Sequence, residues 1–161
     1  MARAAHHLLG TICATLLLLF AGVASAQDRT PERPPSRSHR VAIHVDDNDA
    51  KVMNLALNNA KNVVDYYQSK GESVAIEIVT YGPGLHMLRA DTSPVKHRIA
   101  EMSLAIPQIA FSACGNTQVN MAKQEGREVA LVSEARVVPS GVVRLIELQE
   151  KGYAYIRPSG R

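Results

Sequence analysis

"HRVAIHVDDND", residues 39–49, changes character halfway along, and that change sets the fold. The first seven residues are a short run rich in Val and Ile, the pattern of a buried strand. After the acidic turn, Met53, Leu57, Ala60, Val64 and Tyr67 recur at helical spacing. Asp49 is placed to cap that helix and Gly71 to end it. The stretch therefore reads as strand, turn, helix.

The same grammar continues to the end of the chain. "SVAIEIVTY" (73–81) reads as a second strand, ended by Gly82, Pro83 and Gly84. "SPVKHRIAEMSL" (93–104) reads as a helix with Pro94 near its first turn, and "IPQIAFSA" (106–113) as a third strand. "TQVNMAKQEG" (117–126) is a short helix stopped by glycine, and "VALVSEARVV" (129–138) a fourth strand. "SGVVRLIELQEKG" (140–152) is a helix opened by Ser140 and closed by Gly152, and "YAYIRP" (153–158) a final strand. Strands alternating with helices, joined by connections longer than hairpins, predict an α/β three-layer sandwich around a mainly parallel five-stranded sheet. No internal repeat is present.

The amino terminus has a different composition. Residues 1–26 carry a single charge, Arg3, then a mostly apolar stretch from Leu8 to Val23, then Ala24, Ser25 and Ala26. Those are the parts of a secretory signal peptide, with cleavage expected after Ala26. The apolar stretch is short for a bilayer span of ~20 residues, so no membrane attachment is expected after cleavage. Cys13 would leave with the signal, since Thr11 and Ile12 before it do not make a lipoprotein cleavage site. "QDRTPERPPSRS" (27–38) has three prolines and almost no apolar side chains, the composition of a flexible tether. The folded domain is expected from 39 to 161, in the periplasm or secreted.

A formal net charge of +3, without a basic run or interleaved aromatics, gives no nucleic-acid footprint. No nucleophile elbow marks a hydrolase. Asp46, Asp47 and Asp49 are close in sequence, but Lys51 and Val52 break the calcium-loop pattern, so helix capping and solvated charge explain them better. No metal or cofactor is expected.

Ligands of open parallel sheets collect beyond the carboxyl ends of the strands, where backbone N–H groups of helix amino termini point outward. Here "HVDDND", "YGPGLH" and "SACGNT" should converge. In "FSACGNT" (111–117) stands Cys114, the one cysteine expected in the mature chain. With Asn116 or Thr117 capping the next helix, the helix terminus would favour thiolate over thiol. Gly115 would leave room for a second sulfur to approach. A free cysteine is also among the most often buried residues, so a packing role stands beside the reactive one. His44 and His86 are candidates to orient a substrate or assist the thiol, or are hydrogen-bonded structural residues. Tyr81, Gly82 and Gly84 belong to the same rim, where "GPGLH" forms an anion cradle or a tight turn.

"YGPGLHML", "FSACGNT" and "VVPSGVVRLIELQEKGYAYIRPS" together resemble the DsrE/DsrF-like proteins, in particular exported single-domain members, over about His39 to Ser159. The resemblance implies a flavodoxin-like or Rossmann-like fold and a homotrimer or hexamer. It also implies a sulfur carrier or sulfurtransferase that holds sulfane sulfur as a persulfide, here on Cys114. The family's known sulfur donors and acceptors are cytoplasmic, so export leaves this chain's donor and acceptor open. The alternative is a homo-oligomeric protein of the envelope that binds a small ligand or serves assembly without turnover.

Overall fold

The computed structural model describes residues 37–160; the expected signal peptide and most of the proline-rich tether lie outside them. The described chain runs β1 (Ser38–Val45), α1 (Ala50–Ser69), β2 (Ser73–Thr80), a 3₁₀ helix (Gly82–Leu88), α2 (Lys96–Ala105), β3 (Ile109–Cys114), α3 (Gly115–Glu125), β4 (Ala135–Val138), α4 (Gly141–Glu150) and β5 (Ala154–Ile156). All strand pairs are parallel, in the order β4-β3-β2-β1-β5. This is the expected five-stranded parallel α/β architecture of the flavodoxin-like or Rossmann-like class.

The order explains the layers. From β1 to β4 each strand is laid on the same side of its predecessor, and α4 then carries the chain back to the far side of β1. Crossovers of one hand put helices of the outward steps on one face and α4 on the other. On the first face Val41, Ile43, Val45, Ile76, Ile78, Ile109 and Phe111 pack with Met53, Leu57, Leu85, Met87 and Ile99. On the second, α4 alone places Leu145 and Leu148 against Ala42 and Val79. Strand alternation turns His44, Glu77, Ser112 and Cys114 to this thinner side, and all four are buried.

A buried charge on that side is fully paired. Glu77 receives two hydrogen bonds from Arg144, at 2.7 and 2.8 Å, and one from Ser112 at 2.6 Å. Arg136 lies 2.6 Å from its other oxygen. Burial would raise the Glu77 pKa, but Arg144, Ser112 and Arg136 outweigh it and hold the carboxyl at about 2. On the first face Arg89, 1% exposed, joins Asp91 to Glu125 of α3 and fixes the segment after the 3₁₀ helix.

Several expected boundaries move. The fourth strand is only Ala135–Val138. Residues 129–134 hydrogen-bond the segment after the 3₁₀ helix instead: Ala90 N–H donates to Ala130 O, and Val132 N–H to Leu88 O. Alternating Val and Leu there mark burial against that segment, not a sheet position. The third strand begins at Ile109, because Ile106 closes α2 by donating to Met102 O at 2.8 Å. β1 begins at Ser38, and Arg37 O accepts from Ser73 N–H. "GPGLH" is neither cradle nor simple turn but the start of the 3₁₀ helix.

Candidate functional site

Five strand ends lie along the carboxyl edge of the sheet, and Cys114 ends β3, between β4 and β2. The expected cap of α3 at Asn116 or Thr117 is not used, because Cys114 itself is the N-cap residue and the helix starts at Gly115. Asn116 and Thr117 therefore fall in the first turn. Thr117 Oγ1 accepts from Gly82 N–H at 3.0 Å, which ties the start of the 3₁₀ helix to α3. Asn116 N–H donates to Pro139 O at 3.2 Å, which ties α3 to the turn before α4.

A second helix amino terminus closes on the thiol. A Cβ placed on Gly141, the first residue of α4, would lie 2.9 Å from Tyr81 Cβ and 3.2 Å from Cys114 Cβ. Only glycine lets the backbone approach this closely. Burial pushes the Cys114 thiol pKa up, but the Thr117 hydroxyl and the N–H groups of Gly141, Thr117 and Asn116 outweigh it and leave the thiol below its ordinary value. Cys114 is 5% exposed, so its surroundings are protein rather than water.

Gly115 has another purpose than the one expected. A Cβ there would meet Val137 Cγ1 at 3.1 Å and Val138 O at 3.3 Å, so the glycine admits β4 and does not open space beside the sulfur. Gly84 likewise allows the 3₁₀ helix to touch the end of β1, where a Cβ would fall 2.2 Å from Val45 O.

The two histidines part company. His86 hydrogen-bonds Thr92 Oγ1 at 2.8 Å and lines a crevice of about 380 Å³ with Asn48, Gly82, Thr117, Asn120 and Gln124. His44 lies on the thinner face, stacked on Tyr81 at 4.6 Å between ring centroids, with Nδ1 2.7 Å from the Tyr155 hydroxyl. Burial pushes its pKa down, against the pull of Asp46. Neither histidine hydrogen-bonds Cys114. Beyond His44, Arg157 makes a two-pronged pair with Asp46 at 2.9 and 3.1 Å. Asp49 accepts from Lys51 N–H at 2.7 Å as the cap of α1.

Gly141 and Arg157 were not among the residues singled out in the sequence, and Tyr155, which with Tyr66, Tyr67 and Tyr153 supplies most of the aromatic area expected to favour burial between subunits, was not expected at the rim. A signal for Gly141 existed, since "VVPSG" before a helix repeats the strand-turn-helix form of the other rim segments. Tyr155 and Arg157 carried none, because their place on the rim depends on β5 returning beside β1.

The fold and the strand-end thiol define a parallel α/β protein with a cysteine site at its carboxyl edge. No family model and no curated protein matches the chain. Among solved structures it is similar to a protein of unknown function, MTH1491 from Methanobacterium thermoautotrophicum, with a TM-score of 0.62 and 33% identity. The match covers 74% of this chain and 99% of that one. The chain belongs to the same family as that protein. Among the described residues no helix is long and apolar enough to cross a membrane.

Proposed function

We propose that this chain is an exported DsrE/DsrF-like sulfur carrier that holds sulfane sulfur as a persulfide on Cys114. One observation carries the reading: Cys114 is the N-cap residue of α3, and Gly141, the first residue of α4, packs so close that a Cβ on it would lie 3.2 Å from Cys114 Cβ, so two helix amino termini stand at one cysteine and favour negative charge there. A thiolate attacks the outer sulfur of a persulfide or thiosulfate donor, forms a new S–S bond and displaces the donor's remaining group with its electron pair. The same helix termini then stabilise the Cys114 thiolate when it leaves on transfer to an acceptor thiol. Intact mass after treatment with a sulfane-sulfur donor tests this. A gain of one sulfur atom, lost in Cys114→Ser, supports it; equal labelling of both proteins overturns it.

A second reading rests on a separate observation. α4 turns Val142, Val143 and Ile146 outward, each about half exposed, and Tyr155, in register with Ala42 on the same face of the sheet, is 43% exposed. A stripe of that kind suits an interface between copies, and we propose a homotrimer or hexamer. If Cys114 is packing alone, the oligomer is the product of selection and the chain is a binding or assembly protein. Cys114→Ser would then keep both ligand affinity and subunit number.

A further inference from the structure

β5 is the shortest strand of the sheet. It has three residues, lies at an edge and pairs with β1 at Val41, Ala42 and Ile43. Side chains fasten it further at the carboxyl end of β1. His44 Nδ1 is 2.7 Å from the Tyr155 hydroxyl. Arg157, just past β5, holds both oxygens of Asp46 at 2.9 and 3.1 Å. The tail then reaches the start of α1, where a Cβ on Gly160 would lie 3.1 Å from Val52 Cγ2.

His44 is the buried member of this fastening, at 4% exposure, and its Nε2 has no partner. Whichever nitrogen carries the proton, the neutral ring makes one hydrogen bond, to Tyr155. A second proton would bury a positive charge with one N–H unsatisfied, which is costly. Asp46 Oδ2 is 3.7 Å from Nε2, beyond a direct hydrogen bond, and is already engaged by Arg157. Around the ring stand Tyr81 after β2, Tyr155 of β5, Asp46 and Asp47 of the turn after β1, and Arg157. On the same face Glu77 of β2 is paired with Arg136 and Arg144, and α4 brings Leu145 and Leu148. Burial pushes the His44 pKa down, and Arg157 adds to that against the pull of Asp46 and Asp47.

We infer that His44 is an acid-sensitive latch: taking up a proton releases β5 and the tail after it from β1. Release lets the ring reach water, so the imidazolium is solvated in the open form and not in the closed one. β1 is then left as the edge of a four-stranded sheet, with the N–H and C=O groups of its outer side unpaired. The sign follows from linkage. His44 binds a proton more readily when open, near its ordinary 6.5, than when latched. Closure is therefore fully favoured above pH 6.5 and weakens as pH falls from there toward the lower value of the latched ring. Because one proton is taken up on opening, the opening constant rises about tenfold per pH unit across that window. The latch asks nothing of Cys114 and stands apart from the carrier reading.

Hydrogen exchange of the folded chain, followed by NMR from about pH 8 to about pH 5, tests the latch. Protection factors, which remove the intrinsic pH dependence of exchange, should be constant above pH 6.5 at the amides of residues 154–156 and fall about tenfold per unit below it. His44→Gln keeps a hydrogen-bonding group beside Tyr155 but cannot take the proton, and should make them level. Tyr155→Phe should lower protection at every pH and keep the slope. Level protection in wild type, or the same fall in His44→Gln, overturns the latch. The ring of His44 gives a readout that needs no variant: its carbon-13 and nitrogen-15 shifts should titrate with a midpoint below 6.5. A midpoint above 6.5 means that the proton tightens the closure, and contradicts the inference.

Discussion

Two helix amino termini, those of α3 and α4, meet at Cys114. Alkylation by iodoacetamide, followed against pH in the folded protein, should show a midpoint below the ~8.5 of a free thiol. Thr117→Val removes the hydroxyl but keeps the shape, and should move that midpoint up; it also takes away the acceptor of Gly82 N–H, so a modest loss of stability should accompany the shift. Gly141→Ala drives a methyl group into Tyr81 and Cys114, so it should both destabilise the protein, by about 1–3 kcal/mol in urea unfolding, and change the thiol's reactivity. The sequence placed Cys114 at a strand end next to a helix, since an apolar run followed by Gly and Asn is a local signal. It misplaced the cap, because Asn116 and Thr117 are good cap residues and nothing local shows that β4 packs on Gly115 and lets the helix begin sooner. "VVPSG" marked Gly141 as the start of a helix at the rim, but not its contact with Cys114, which arrives from 27 residues downstream through the sheet.

Elements are held by contacts whose failure is easy to provoke. Gly84→Ala sets a methyl group against Val45 O at the seam between β1 and the 3₁₀ helix, and neither side is a flexible side chain. It should cost about 3 kcal/mol, read as a fall in the urea midpoint with unchanged slope. Glu77 predicts an acid response. Its folded pKa of about 2 lies below its ordinary value of 4.5, so its contribution to stability is present above pH 4.5 and is lost as pH falls from 4.5 toward 2. The shift corresponds to about 3 kcal/mol. Urea unfolding across that range should show the loss, and Glu77→Gln should flatten most of it. The helices and the inner strands were legible because each keeps one period throughout. β4 was not: "VALVSE" has a strand's composition, yet its backbone pairs with the turn around Arg89, a tertiary choice that alternation does not encode.

At the scale of the molecule, one thick face and one thin face leave α4 with an uncovered apolar stripe. Light scattering of the protein at micromolar concentration should return a trimer or hexamer, and Ile146→Asp should dissociate it; a monomeric wild type contradicts the assembly proposal. The parallel sheet itself was legible in the alternation of strand and helix, whereas the strand order was not, since only the return of β5 beside β1 puts α4 alone on its side. The central claim, that this edge of the sheet exists to hold sulfur on Cys114, is tested most directly by intact-mass analysis of native protein treated with a sulfane-sulfur donor. The account predicts one added sulfur on each folded chain, removed by an added thiol and absent in Cys114→Ser. A native chain that gains no mass, and whose thiol resists iodoacetamide until the protein is unfolded, would contradict it.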